Sequence, residues 1–545
     1  MDSPANLLDT LRRAKIPSRL VEDFCPVAES LEWRLSEQYW MTAGTRGFVE
    51  ESVPYSSTSG GALSQDAAAL LLVNCRENPP VGTMVVLELC AGTGLFARLF
   101  LDAFERLCVE AGESFHEQLV YYVTDRSPAT VAQWKESGVF EGTRAIAALG
   151  DARRPLEWEI EDGTVLLTRI RAVFCNYGLD SLPAAIVRRG KAGPEELCVR
   201  THLTNDEARL LRHRAPSLEE IREQAAKREP GLSKLASLFE IEAAFVLCKQ
   251  KYTMVDEALE AFGDLPRVIL NHGAMDCLRE LLSALDPNGF MVFSDYGVVD
   301  AAAPVAHSNA QQFGESRAIG VHFPLMDQFV STLGAELEVP SSKDPTNLHS
   351  RMLVRGALPE TRAEFAAEYG KGSWKEARTH IQSGANEEAK RIYEIALEKY
   401  PRDWSLLGEV AEFLVRQVSN FDGGFEMVKA ALVLNPWYST WLWNVLGDAQ
   451  FGRRQFGDAI EAYRLAEVLS PRDVRTQLNL SYGYAAIGDT EAALLAIARG
   501  FSHDGTGEYR ERLREKQQQI LGSLRALRID VEQARERRRA RLNAC

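Results

Sequence analysis

Short apolar runs alternate with longer amphipathic stretches from about Met84 to Arg355. Val85-Val86-Leu87, Leu119-Val120-Tyr121-Tyr122-Val123, Ala172-Val173-Phe174-Cys175, Val268-Ile269-Leu270 and Phe290-Met291-Val292-Phe293 read as strands buried on both faces. With helical patterning between them, they predict an α/β domain: a doubly wound, mostly parallel sheet covered by helices. The charged segment from Pro194 to about Lys251 breaks the rhythm and reads as a helical insertion over about 191–255, a cap or substrate-binding element. Past residue 373 the pattern turns helical and repeats itself. Pro401, Pro436 and Pro471 stand 35 residues apart, with Ala396, Ala431 and Ala466 five residues before them. Tyr393, Val428 and Tyr463 precede those alanines by three, and Ala389, Gly424 and Ala459 come four earlier still. Small and large positions at these spacings share one helix face, and the proline ends each unit.

The segment Thr440 to about Arg472, with Leu446-Gly447, Ala459, Tyr463, Ala466 and Pro471, resembles the tetratricopeptide repeat family. The resemblance implies an all-α domain of three to four helical hairpins over 373–506, whose groove would hold a peptide or protein. Gly423-Gly424 and Val428 weaken the middle copy, so an irregular groove is expected there.

Composition narrows the classes. A chain of 545 residues, 46% hydrophobic and 26% charged, is an ordinary globular sequence long enough for three or four folding units. The net charge of −15 argues against a nucleic-acid binder. The start lacks the apolar core of a signal peptide and no later run has the length of a membrane span, so a cytoplasmic protein without membrane contact is expected. Nine cysteines lie singly, without C-x-x-C spacing, which points to neither a disulfide scaffold nor a metal site. Glu508 to Cys545 carries 11 Lys+Arg against 6 Asp+Glu, with Leu513, Ile520, Leu524 and Leu527 at helical intervals, and is expected to form a capping helix over 507–545.

Candidate chemistry begins at Val85-Val86-Leu87-Glu88-Leu89-Cys90-Ala91-Gly92-Thr93-Gly94, ahead of a helix with Phe96, Leu99, Phe100, Ala103, Phe104 and Leu107 on one face. A strand ending in an acid, a glycine loop and a helix form the first turn of a nucleotide-type fold, and the next strand ends in Asp125, suited to a ribose diol. The run resembles motif I of class I S-adenosylmethionine-dependent methyltransferases, with Cys90 where the family usually has its first glycine. Asn176-Tyr177-Gly178-Leu179-Asp180-Ser181-Leu182-Pro183 is similar to the N-E-x-x-D-x-L-P segment of the MidA family, Phe293-Ser294-Asp295-Tyr296-Gly297 to its late strand, and Pro54-Tyr55-Ser56-Ser57-Thr58-Ser59 to the segment it places before motif I.

These resemblances, over roughly residues 30 to 355, imply a Rossmann-like methyltransferase domain at 81–360, with a helical segment, 1–80, packed over the cofactor. They place S-adenosyl-L-methionine, leaving as S-adenosyl-L-homocysteine, against Tyr55, Thr58, Ser59, Glu88, Ala91, Gly92, Thr93, Gly94, Asp125, Arg126, Asp151, Ala152 and Asn176. A known MidA member dimethylates a protein arginine, so the implied activity is protein arginine N-methylation. A guanidinium is a poor nucleophile until carboxylates orient it and take its proton. Asp180 is the first candidate, with Asn176 and Tyr177 lining the crossing and His272 and Asp295 as further acid or base groups. Tyr177 replaces the family's glutamate, so either another acid such as Asp276 or Asp295 substitutes or the acceptor is not arginine. A separate groove beside a catalytic domain suits a protein or peptide substrate. A non-catalytic scaffold and a small-molecule methyltransferase remain as alternatives, and the oligomeric state, a homodimer among the readings, stays open.

Overall fold

The computed structural model describes residues 19–49, 55–300, 311–313, 316–341, 348–372 and 374–543. The chain divides into two compact units, Met1–Pro54 with Leu63–Lys371 and Tyr55–Ala62 with Gly372–Cys545.

In the first unit the strands of the two larger sheets are β1 (Leu20–Pro26), β2 (Met84–Leu89), β3 (Leu119–Asp125), β4 (Ala145–Leu149), β5 (Glu157–Ile160), β6 (Gly163–Leu166), β7 (Ile170–Asn176), β8 (Ala185–Arg189), β9 (Pro194–Leu203), β10 (Phe239–Leu247), β11 (Val268–Leu270), β12 (Leu285–Val298), β13 (Val321–His322), β14 (Glu336–Glu338) and β15 (Leu348–Val354). The larger sheet is mixed and runs β14-β15-β12-β7-β2-β3-β4-β5-β6. Its centre, β12, β7, β2, β3 and β4, is parallel, while β15 returns antiparallel beside β12. The register pairs Glu88 with Phe174 and Asn176 with Ser294, so the carboxyl ends of neighbouring strands meet along one edge. Four of the five expected strands lie here. Val268–Leu270 instead joins a second sheet, antiparallel to β8.

Among the helices, α1 (Leu31–Ala43), α2 (Ala62–Glu77), α3 (Leu95–Glu110) and α4 (His272–Ala284) matter for the site. On α3, Phe96, Phe100 and Phe104 recur every fourth residue, and all three are buried. The insertion expected to be helical is a β-ribbon with helices at its far end: β9 and β10 pair antiparallel from Glu195 to Leu203, and the stretch between them carries the helices Glu207–Arg212 and Leu218–Lys227. Leu197, Val199 and Thr201 are buried on one face of β9 and Glu196, Cys198 and His202 on the other, so charged and polar residues of a doubly covered strand obscured its two-residue period. The N-terminal region likewise contains strand β1 as well as helices.

The second unit is all-α over its later part: α5 (Lys375–Gln382), α6 (Asn386–Lys399), α7 (Trp404–Arg416), α8 (Phe421–Leu434), α9 (Thr440–Gly452), α10 (Phe456–Leu469), α11 (Val474–Ala486), α12 (Thr490–His503) and α13 (Arg510–Asn543). The small repeat positions bring paired helices close. A Cβ at Gly447 would stand 2.3 Å from the Tyr463 ring, and one at Gly424 would stand 2.5 Å from Val415. Gly424 therefore fits its neighbour rather than disturbing the middle copy, and α8, 14 residues long, matches α10. Arg416 and Arg475 pair with Glu412 and Asp448, so their charges are balanced across α7, α9 and α11. Where α9 begins, Tyr438 is buried, and the indole N–H groups of Trp441 and Trp443 donate to Glu412 and to the Pro436 carbonyl.

Residues Tyr55–Ala62 belong to this second unit. The Tyr55 hydroxyl donates to the Tyr438 carbonyl at 2.9 Å, the Trp404 indole N–H to the Ser59 carbonyl at 2.6 Å, and the Ala62 N–H to Asp403, which also caps α7. Tyr55 stacks on Trp404 with ring centroids 5.6 Å apart.

Gly447→Val forces its branched side chain into Tyr463, so it should destabilise the repeats by about 1–3 kcal/mol. Urea unfolding followed by tryptophan fluorescence would register this, and an unchanged midpoint would refute the packing described.

Candidate functional site

The glycine loop lies where β2 ends, and its backbone departs from what ordinary side chains favour. Cys90 takes φ 55°, Gly92 54° and Gly94 73°. Glycine is preferred there because a Cβ in the left-handed region meets the following carbonyl. Cys90 thus occupies a glycine-like conformation and is strained by it.

Asp125 fixes this loop. One of its carboxylate oxygens accepts the Gly92 N–H at 3.1 Å and the other the Ser127 N–H at 2.9 Å. Burial raises its pKa, and those two backbone hydrogen bonds pull it back. A carboxylate has about four lone-pair directions, so acceptor capacity remains for a diol. Glu88 points elsewhere: it takes the Tyr121 hydroxyl at 3.1 Å, and burial pushes its carboxyl up to about 8. Ala91 and Thr93 are buried within the loop.

Two residues that sequence patterning did not single out complete the loop's surroundings. The Trp134 indole N–H donates to the Gly92 carbonyl at 2.9 Å. A Cβ at Gly92 would come within 2.7 Å of the Phe48 ring, which itself packs on Trp40 of α1. Past the ends of β3 and β4 a cavity of about 400 Å³ is lined by α1, by Arg126, Arg153, Arg154 and Arg228, and by Gly150 and Asp151. Arg126 pairs with Glu37 at 3.1 Å. Burial opposes ionisation of Asp151, but the Arg153 guanidinium, at 2.6 Å, holds its carboxyl below the usual range. Ala152 is buried next to it.

The neighbouring strand ends carry a different chemistry. Tyr177 follows β7 with φ 55°, its N–H donating to the Ser294 carbonyl at 3.0 Å. Its ring stacks on Tyr296, centroids 5.1 Å apart, and the two hydroxyls lie 3.3 Å from each other. Tyr296 belongs to the Phe293–Gly297 segment, in which sequence reasoning singled out Asp295 alone. The Asn176 side-chain amide nitrogen is buried without a hydrogen-bond partner among the described residues.

Behind the tyrosines, Asp180 and Asp295 form a buried pair. Asp295 accepts the Leu179 and Asp180 N–H groups at 2.9 and 3.2 Å. Burial pushes Asp180 up to about 7, while burial and the Asp180 charge raise Asp295 well above the carboxylate range. Two carboxyl groups so close hold a proton between them.

Other expected site residues stand apart. His272, at the start of α4, stacks on Tyr252 at 4.8 Å, and the Tyr252 hydroxyl donates to Glu196. Burial lowers the His272 pKa, so the ring is neutral near pH 7. Asp276 pairs with Arg279 on an exposed face of the same helix. Tyr55, Thr58 and Ser59 group with the repeat unit, where Tyr55 and Ser59 bond Tyr438 and Trp404 and the Thr58 hydroxyl donates to the Tyr55 carbonyl. Among the described residues no metal-holding cluster of His, Cys, Asp and Glu occurs, and no helix is long and apolar enough to cross a membrane.

No protein-family model and no curated protein matches the chain. Solved structures do. An uncharacterized ACR, COG1565 superfamily protein from Burkholderia thailandensis is 15% identical with a TM-score of 0.38, the match covering 68% of this chain and 96% of that one. A COG1565 superfamily member from the same organism, bound to S-adenosyl-homocysteine, is 14% identical with a TM-score of 0.41 over the same shares. A thermophilic TPR protein of Thermus thermophilus is 20% identical with a TM-score of 0.24, over 28% of this chain and 83% of that one.

Asp180 holds a proton when folded that the unfolded chain releases near the ordinary carboxyl value of 3.8. That stabilisation is complete below about pH 4 and lost as pH rises through about 7. Asp180→Asn should therefore flatten the fall in denaturation midpoint between about pH 4 and 8. An equal fall in both proteins would show that Asp180 does not carry the proton.

Proposed function

We propose that this protein is an S-adenosylmethionine-dependent methyltransferase acting on a nitrogen of a protein or peptide, with arginine as the expected residue. The observation that carries this reading is the Asp125 carboxylate bonded to Gly92, an acid with lone pairs to spare beside a positive-φ glycine loop at adjoining parallel strand ends. Ligands of open α/β sheets bind at such carboxyl edges.

The residues present fit the cofactor. Asp125 would accept the ribose hydroxyls through its remaining lone pairs, and Asp151 stands at the cavity that would take the adenine. The buried Asn176 amide nitrogen offers a donor that the protein itself leaves unused. When bound, S-adenosylmethionine supplies a methyl group already activated on a sulfonium, so no metal role is needed in this scheme.

The chain's own work is then to orient the acceptor and receive its proton. Tyr177 and Tyr296 offer a stacked aromatic wall on which a cationic side chain would rest. The Asp180–Asp295 pair, with Asp180 at about 7, is poised to take up the proton a methylated nitrogen loses. For a guanidinium, Asp180 has to be ionised, so methylation of arginine should gain as pH rises through about 7. The repeat groove would supply a second contact for a protein acceptor and raise its effective concentration at the site.

A scaffold reading also has an observation behind it, since strained Cys90 and the Phe48 ring both crowd the loop. Calorimetric titration with S-adenosylmethionine separates the two: the methyltransferase binds, and Asp125→Ala weakens binding by roughly ten- to a hundredfold through the lost diol bonds. No heat from the wild type would favour the scaffold. Incubation with methyl-labelled cofactor and a lysate, followed by acid hydrolysis of the protein fraction, then identifies the acceptor. Labelled methylarginine that disappears with Asp180→Ala is the expected result, whereas label in another amino acid would overturn arginine alone.

A further inference from the structure

The last helix, α13, is 34 residues long, and only its first part is covered. Leu513 and Ile520 are buried with Leu478, Ala493 and Ile497 of α11 and α12. From Leu521 to Arg539 every residue is exposed. Yet the buried stripe does not stop there. Leu513, Ile520, Leu527 and Ala534 are spaced seven apart, and so are Gln517, Leu524, Val531 and Arg538. Leu524, Leu527 and Val531 remain 39%, 60% and 43% exposed. A sustained alternation of four and three residues is a coiled-coil seam, and isolated helices in water draw little stability from their own backbone.

We propose that this seam pairs with the same helix of a second copy, forming a parallel, in-register coiled coil over about residues 524–538. Charge selects the occupant and its direction. With Leu524 and Val531 at position a and Leu527 at d, Asp530 falls at g and Arg535 at the following e. Parallel partners join g to the next e, so Asp530 of each copy faces Arg535 of the other, twice by symmetry. Neither residue takes part in an ion pair within the chain among the described residues, whereas Arg528 is already engaged by Glu532. An antiparallel pair centred between Leu527 and Val531 would set Asp530 against Asp530 and Arg528 against Arg528. The seam also continues a packed stripe, so pairing extends an interface the helix already makes with its own repeats.

Sedimentation of the full chain tests this directly. The wild type is expected to be a dimer at micromolar concentration, and Leu524→Asp with Leu527→Asp should raise the dissociation constant about a hundredfold or more. Asp530→Arg alone should weaken the dimer, and adding Arg535→Asp should restore it. An Ala534→Cys variant, oxidised and mapped by mass spectrometry, should link to the same position of the partner. Because an unpaired helix is marginal in water, the double Leu→Asp variant should lose only the helical circular dichroism of this stretch, with the thermal transition of the repeats unchanged. A monomer at about 50 μM, a dimer that survives both Leu→Asp changes, or a link from position 534 elsewhere would overturn the proposal.

Discussion

The carboxylate of Asp125 ends a parallel strand and reaches sideways to the amide of Gly92, which begins the helix-bearing turn of the next strand. This bond ties two strand ends into one surface, and the order of the site follows from it. Ala91 adds a second tie, its N–H donating to the Thr124 carbonyl. With the loop so held, Trp134 can bond its outer carbonyl and Phe48 can lie against it. The loop's positive φ values keep side chains off the face where a ligand would approach, and Cys90 accepts strain to follow them.

The two halves of the strand edge differ in electrical character. Around β3 and β4 the acids are held by backbone amides or by arginine, and Asp151 stays ionised in consequence. Around β7 and β12 burial dominates: Asp295 accepts the Leu179, Asp180 and Tyr296 N–H groups, yet both it and Asp180 are raised and keep a proton. The first environment suits neutral hydroxyl and amine donors of a nucleoside. The second suits a group that arrives charged and leaves a proton behind. The division arises because the parallel register sets Asn176 beside Ser294, bringing the tails of β7 and β12 together before their loops diverge.

Much of this was legible in the residues. The continuous apolar runs at 85–87, 119–123, 172–175 and 290–293 announced the central strands, and the 35-residue recurrence announced the repeats. The ribbon of β9 and β10 was hidden because charged residues such as Glu196 and Arg200 stand between its apolar positions and mimic a solvated helix. The carboxylate pair was not legible as a pair: Asp180 and Asp295 are 115 residues apart, and only the sheet register joins them. Phe48 and Trp134 gave no local signal, since a lone aromatic in a helix reads as core. The grouping of Tyr55, Thr58 and Ser59 with the repeats depends on tertiary pairing that no spacing encodes.

That grouping bears on how the chain is made. The repeat unit contains a strip of polypeptide synthesised long before the rest of it, with Ser59 and Trp404 separated by 345 positions. At cellular elongation rates of about 5–20 residues per second, the strip emerges roughly 20–70 seconds before its partner. In that interval the groups that will bond Tyr438, Trp404 and Asp403 lack those partners. The second unit cannot mature as a simple appendage after the first, because its final closure draws back a piece of chain that left the ribosome 345 positions earlier.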